Sequence, residues 1–205
     1  MGRQQNYREH SHPPIVKMAR KAHLRGMAKH ITLVGMMGSG KSTVAPLVAS
    51  RLNRTVIEVD AMIEKAEGMP IGEIFIAKGE AYFRRAECAL ITQLIKEPPA
   101  VLSLGGGAFM WDATRELVLK ETVVFYLSAT VDVLCSRLQA GTASRPLLNM
   151  PGIRWEDAVK DLLERRGTFY GLALVVASAG FTGFLRRRPG ATGCVRHTLS
   201  LGVEF

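Results

Sequence analysis

The chain has no apolar run approaching the roughly 20 residues that a membrane-spanning helix needs. Its best stretch, Leu172–Ala179, is short and runs into glycine-rich sequence. Cysteine is scarce: Cys88, Cys135 and Cys194 are odd in number, far apart and without C-x-x-C spacing, which excludes a disulfide framework or a structural zinc site and fits a reducing cytoplasm. No 7–15-residue apolar segment of the signal-peptide type stands near Met1. Residues 1–28 read instead as a basic, disordered arm or an over-long gene start, with Met27 as an alternative start and an Arg-rich targeting peptide as a third reading. The net charge of +9 suggests an anionic partner only until it is located. Six Lys/Arg face Glu9 alone in 1–28 and four face Glu204 alone in 186–205, leaving 17 basic and 16 acidic residues in 29–185. Only one aromatic residue, Tyr7, stands among the terminal basic ones, too few for a stacking platform, so neither nucleic acid nor membrane is expected as a partner.

What is present is enough for one globular core, with 47% hydrophobic residues in 205. His30–Gly35 is a β-branched run that stops at glycine, and Val44, Leu47, Val48 and Leu52 follow at helical spacing. Thr55–Val59, Ala100–Leu104, Thr122–Leu127 and Leu172–Ala177 read as further strands. Ala61–Ala66, Ile71–Lys78, Glu80–Lys96, Val131–Leu138 and Trp155–Phe169 read as helices, the third ended by Pro98 and Pro99. Gly35–Ser42, between the first strand and helix, fits the phosphate-loop pattern, and the expectation is an α/β protein: a P-loop NTPase-type three-layer αβα sandwich with a five-stranded, mainly parallel sheet and ligands at the carboxyl ends of the strands. Residues 139–152 are polar and aperiodic and read as a mobile lid. The organisation expected is an arm (1–28), one globular domain (29–185) and an atypical basic tail (186–205).

Gly35-Met36-Met37-Gly38-Ser39-Gly40-Lys41-Ser42 matches G-x-x-x-x-G-K-[ST] between strand and helix. Glycines let backbone N–H groups, here of Gly38, Ser39, Gly40, Lys41, Ser42 and Thr43, point at phosphate oxygens, and the helix adds its positive end. Lys41 is positioned for the β and γ oxygens and the Ser42 hydroxyl for Mg²⁺. The motif predicts ATP as co-substrate but leaves the phosphoryl acceptor open. No N-K-x-D segment for guanine is found.

Three further segments stand at strand ends: Glu58-Val59-Asp60, Gly79-Glu80-Ala81-Tyr82-Phe83-Arg84-Arg85 and Ser103-Leu104-Gly105-Gly106-Gly107-Ala108. With Arg145-Pro146-Leu147-Leu148 they resemble the shikimate kinase family from about Ile31 to Tyr170. The resemblance implies transfer of the ATP γ-phosphoryl group to the 3-hydroxyl of shikimate, in aromatic amino-acid biosynthesis, by a cytoplasmic monomer. It makes Asp60 the residue that binds shikimate hydroxyls and orients or deprotonates the attacking one, a job open to a carboxylate. Read alone, Asp60 also admits a helix N-cap before Ala61–Ala66, a role compatible with the first. Arg84 matches the arginine that grips the substrate carboxylate, a natural partner for a planar fork. Gly105, Gly106 and Gly107 match the run that lets substrate approach the backbone. Arg166 matches a second carboxylate-binding arginine, with Arg165 as an adjacent competitor. Arg145 matches the lid arginine over the transferring phosphoryl group, and Arg137 a contact at the lid's base.

Three departures qualify the match. Glu58 stands where an aspartate is usual and would reach the metal through water. Thr168-Phe169-Tyr170 replaces Pro-Leu-Tyr. Beyond Tyr170 the pattern weakens, and Arg186–Gly190 reads either as an adenine-binding loop with Arg187 on the base or as solvated arginines of an altered end. The rival functions are a kinase for another small hydroxy acid such as gluconate, or a catalytically impaired nucleotide-binding module.

Overall fold

The computed structural model describes residues 29–139, 148, 152–173, 175–178 and 185–187. Its first unit is strand β1 (Ile31–Val34), the glycine-rich loop and helix α1 (Lys41–Leu52). Alternation in β1 divides the core. Leu33 is buried with Val101 against Ala45 and Ala49 of α1, with Ile31, Val44, Val48, Val56 and Phe125 packed around them. Val34, from the opposite face of the strand, joins a larger cluster with Val59, Ile63, Phe83, Ile91, Leu102, Val118, Leu134 and Val159. Two apolar faces require helices on both sides of the sheet, which gives the expected αβα layering.

Strand β2 (Val56–Glu58) runs directly into α2 (Val59–Glu67), followed by α3 (Ile71–Lys78) and α4 (Glu80–Leu94). Then come β3 (Val101–Ser103), a 3₁₀ turn (Ala108–Met110), α5 (Asp112–Glu121), β4 (Val123–Ser128), α6 (Val131–Leu138), α7 (Trp155–Tyr170), β5 (Val175–Ser178) and β6 (Leu185–Arg187). The sheet order is β2-β3-β1-β4-β5-β6. β1 to β5 pair in parallel and β6 is antiparallel to β5. Register places Leu33 and Glu58 both opposite Ser103, so β1, β2 and β3 end level and release the chain side by side.

Buried polar groups are paired where the strands begin. The His30 Nδ1 accepts from the Ala100 N–H at 3.1 Å and its Nε2 lies 3.1 Å from the Glu97 carbonyl, tying the start of β1 to the turn before β3. Thr32 donates to Thr122 at 2.8 Å, which donates to the Val118 carbonyl at 2.7 Å. Ile91 is fully buried on the core face of α4. Its replacement by valine removes one methyl group, and chemical denaturation is expected to show a loss of about 1 kcal/mol.

Among the described residues the sheet has six strands rather than five, because Leu185–Arg187 adds an antiparallel edge across the expected boundary at 185. The fifth strand starts three residues later than expected, since α7 holds Tyr170 and two bonded turn residues, Leu172 and Ala173, follow it. α5 was not anticipated: it buries only Thr114 and Val118, too thin a stripe to stand out. Residues 1–28, Arg145 with most of the 139–152 lid, and 188–205 lie outside the described residues.

Candidate active site

Between β1 and α1 the backbone turns at Gly40, whose φ of 96° suits glycine, and Gly40 caps α1. The Lys41 ammonium donates to the Gly35 and Met36 carbonyls at 2.8 and 3.0 Å, so it lies across the mouth of its own loop. Burial lowers its pKa to about 8, against the upward pull of Asp60 and Glu58. Ser42 and Thr43 are exposed at the first turn of α1, while Ser39 is buried. Arg137, from the last turn of α6, donates to the Gly38 carbonyl at 3.2 Å.

Asp60 is the second residue of α2, and Glu58 holds the N-cap position without a side-chain cap bond. The N-cap reading of Asp60 is therefore corrected: β2 passes straight into the helix, placing Asp60 inside the first turn. One Asp60 oxygen, Oδ1, is buried without a hydrogen-bond partner among the described residues. Burial raises its pKa, while Arg84 and Lys41 pull it down. A carboxylate lacking a partner while two cations attract it is prepared for a polar ligand.

The glycine run is the wall on which the acceptor residues meet. A Cβ on Gly105 would lie 2.6 Å from both Asp60 oxygens, one on Gly106 would lie 3.3 Å from Arg166 Nη1, and one on Gly107 would overlap Arg84 Nη2. Three consecutive residues thus each face a different charged side chain, from α2, α7 and α4. A side chain larger than hydrogen at the first or third would displace the Asp60 carboxylate or the Arg84 guanidinium.

Arg84 is only 8% exposed. Its Nη1 donates to Glu87 Oε2 at 2.8 Å, and its Nε and Nη2 reach Glu80 Oε1 at 3.2 and 3.1 Å. The guanidinium also lies 5.1 Å from the Phe83 ring centroid and 5.9 Å from that of Phe75. Arg166 Nη1 donates to the Gly106 carbonyl at 3.0 Å and stands 3.8 Å from Met36 Sδ of the phosphate loop. Arg165 points elsewhere: it is exposed and pairs with Asp161 one helical turn away. Of the two arginines, only Arg166 is placed at the glycine run.

Two residues were missed by sequence reasoning. Glu87 is fully buried beneath Arg84, and its signal was the i,i+3 spacing on α4. Tyr170, one turn beyond Arg166, donates to the Gly106 carbonyl at 2.6 Å. Arg187 lies in β6, where its backbone is opposite Val175. Among the described residues no cluster of three or more His, Cys, Asp or Glu could hold a metal by itself. The Ser42 hydroxyl and the Glu58 carboxylate are nevertheless oxygen donors of the kind Mg²⁺ takes alongside phosphates.

A family model for shikimate kinase matches residues 37–179. The shikimate kinase of Zymomonas mobilis is 44% identical over 143 residues, 70% of this chain and 80% of the relative. That of Cereibacter sphaeroides is 38% identical over 154 residues, 75% and 76% of the two chains. Among solved structures, shikimate kinase from Acinetobacter baumannii in complex with shikimate superposes with a TM-score of 0.70 at 31% identity, covering 78% of this chain and 88% of that one. Among the described residues no helix is long and apolar enough to cross a membrane.

Proposed function

The chain belongs to the shikimate kinase family, and from that premise we propose how its residues carry the transfer of the ATP γ-phosphoryl group to the 3-hydroxyl of shikimate. The observation that supports the assignment of roles is the convergence of Asp60, Arg166 and Arg84 on Gly105, Gly106 and Gly107. ATP enters with its phosphates against the N–H groups from Gly38 to Thr43. Lys41 exchanges its two loop carbonyls for β and γ oxygens. Shikimate lies on the glycine wall with its carboxylate between Arg84 and Arg166 and its hydroxyls at Asp60.

The 3-hydroxyl oxygen attacks the γ phosphorus in line as the bond to the β–γ bridging oxygen breaks. ADP leaves with that electron pair, and the hydroxyl proton passes to Asp60, late in a loose transition state that asks little of the base. Lys41 and Arg145 neutralise charge on the phosphoryl oxygens; for Arg145 the support is its sequence position alone. Ser42, and Glu58 through water, would hold Mg²⁺, which supplies charge neutralisation at the phosphate oxygens when bound. Arg187 is assigned to the adenine side. The near-neutral charge of 29–185 supports a protein that uses neither nucleic acid nor membrane, and the cysteine spacing supports a cytoplasmic location; a monomer is carried over from the family resemblance alone.

The test is ADP release by purified protein with MgATP, with shikimate, with gluconate and with no acceptor. Shikimate alone is expected to stimulate release strongly. Equal release in all three, from protein that binds ATP, would overturn the acceptor assignment.

A further inference from the structure

Tyr170 has no part in the transfer just described, yet it reaches the acceptor wall. It ends α7 with 1% of its surface exposed, and its hydroxyl donates to the Gly106 carbonyl at 2.6 Å. Arg166, one turn earlier on the same helix, donates to that same carbonyl at 3.0 Å. Both donors of this shared acceptor therefore come from α7.

The hydroxyl is held in place by its ring. Tyr170 stacks on Tyr126 of β4, with centroids 4.8 Å apart and planes at 15°, and lies 6.4 Å and 16° from Phe109 in the 3₁₀ turn that follows the glycines. Burial pushes its pKa up to about 12, so the group stays protonated as a donor. The packing that holds the ring would be served as well by phenylalanine. What phenylalanine lacks is the hydrogen bond.

The consequence follows from peptide geometry. Fixing the Gly106 carbonyl fixes the plane of the Gly106–Gly107 peptide, because the peptide unit is planar. That plane sets where Gly105 and Gly107 sit against Asp60 and Arg84, contacts too close for a Cβ at either position. It also sets where Arg166 places Nη1, which donates to the same carbonyl.

We infer that Tyr170 is a positioning residue for the acceptor site: through the Gly106 carbonyl it holds the glycine wall and Arg166 in register for the carboxylate of the acceptor. This deepens the shikimate reading and rests on it. The nucleotide side should be affected less, since the Tyr170 hydroxyl bonds the glycine wall, whereas the Lys41 ammonium is held by the Gly35 and Met36 carbonyls.

The experiment compares wild type, Tyr170→Phe and Tyr126→Phe. Tyr126→Phe removes a hydroxyl from the same aromatic stack without touching Gly106. Measured are KM for shikimate, KM for ATP, kcat, shikimate affinity by calorimetry without nucleotide, and Tm. Tyr170→Phe is expected to raise the shikimate KM and weaken shikimate affinity about five- to tenfold, the scale of one neutral hydrogen bond. The ATP KM should stay within twofold, and Tyr126→Phe should leave the shikimate KM unchanged. An unchanged shikimate affinity in Tyr170→Phe overturns the inference, and so does an equal rise in both variants or in both substrates, which marks general packing. Absence of shikimate-stimulated turnover in the wild type overturns the acceptor reading itself. If Tyr170→Phe does not fold, 3-fluorotyrosine at position 170 of the full chain carries the test: it keeps ring and hydroxyl but loses the donated proton at lower pH, so shikimate affinity is expected to fall at a lower alkaline pH than in the wild type, and an unchanged pH profile would overturn the role.

Discussion

Asp60→Asn is expected to lower turnover by about 10² to 10⁴, the range of a positioned general base, while ATP affinity measured by calorimetry stays within twofold. Asparagine has nearly the same volume, so the close approach of Gly105 to both side-chain oxygens survives and the wall is not pushed apart. What disappears is the negative charge and its ability to take the proton of the attacking hydroxyl. A second effect follows from the same charge. Asp60 is the leading group that raises the Lys41 pKa against burial, so removing it should move the Lys41 ammonium below about 8. The alkaline limb of ATP binding should shift to lower pH. The Asp60 carboxyl is itself held above its ordinary range by burial, so wild-type turnover should fall on the acid side as Asp60 takes a proton. Near-normal turnover in Asp60→Asn would remove Asp60 from the chemistry and leave it a binding group.

How far the sequence could be read follows the range of the interactions concerned. The strand, loop and first helix were legible because Gly35 to Ser42 carries its conformational and chemical requirements locally, and Val131–Leu138 was found to the residue. Asp60, Arg84 and the three glycines were legible only through their order in the family resemblance. Nothing local distinguishes Arg84 from its exposed neighbour Arg85; burial against Phe75, Phe83 and Glu87 does. α5 was lost because Asp112–Glu121 turns a mostly charged surface outward, with Thr114 as half of its buried pair. β6 was lost because an antiparallel edge strand of three residues owes its existence to its neighbour, and Leu185–Arg187 carries no alternation long enough to read. Tyr170 was seen as the end of a motif, and its hydroxyl's partner, 64 residues away, is visible only in three dimensions.

Glu87→Gln is expected to raise the shikimate KM about tenfold or more at pH 8, the scale of a hydrogen bond to a charged group, with the ATP KM unchanged. Glu87 is fully buried, its Oε2 accepts from Arg84 at 2.8 Å, and its Oε1 has no partner among the described residues. Burial lifts its pKa to about 7, opposed by the attraction and hydrogen bond of Arg84, with Asp60 and Glu80 adding smaller upward pushes. Below pH 7 the wild-type carboxyl therefore takes a proton, and Arg84 loses its charged brace. The wild-type shikimate KM should climb as pH falls from 8 to 6, and the two proteins should converge near pH 6; a KM ratio that stays constant over that range would deny Glu87 the role. Stability runs the other way. A folded pKa raised from 4.5 to about 7 means that the folded state holds a proton the unfolded chain releases between those values. This group's contribution thus improves as pH falls from about 7 to 4.5, and above 7 the buried charge costs on the order of 3 kcal/mol. Thermal unfolding should show the wild type gaining on Glu87→Gln as pH is lowered from 8 to 5. The opposite signs separate a site residue from a fold residue: a carboxylate kept only for stability would not sit where its charged form is costly at the pH at which Arg84 needs it.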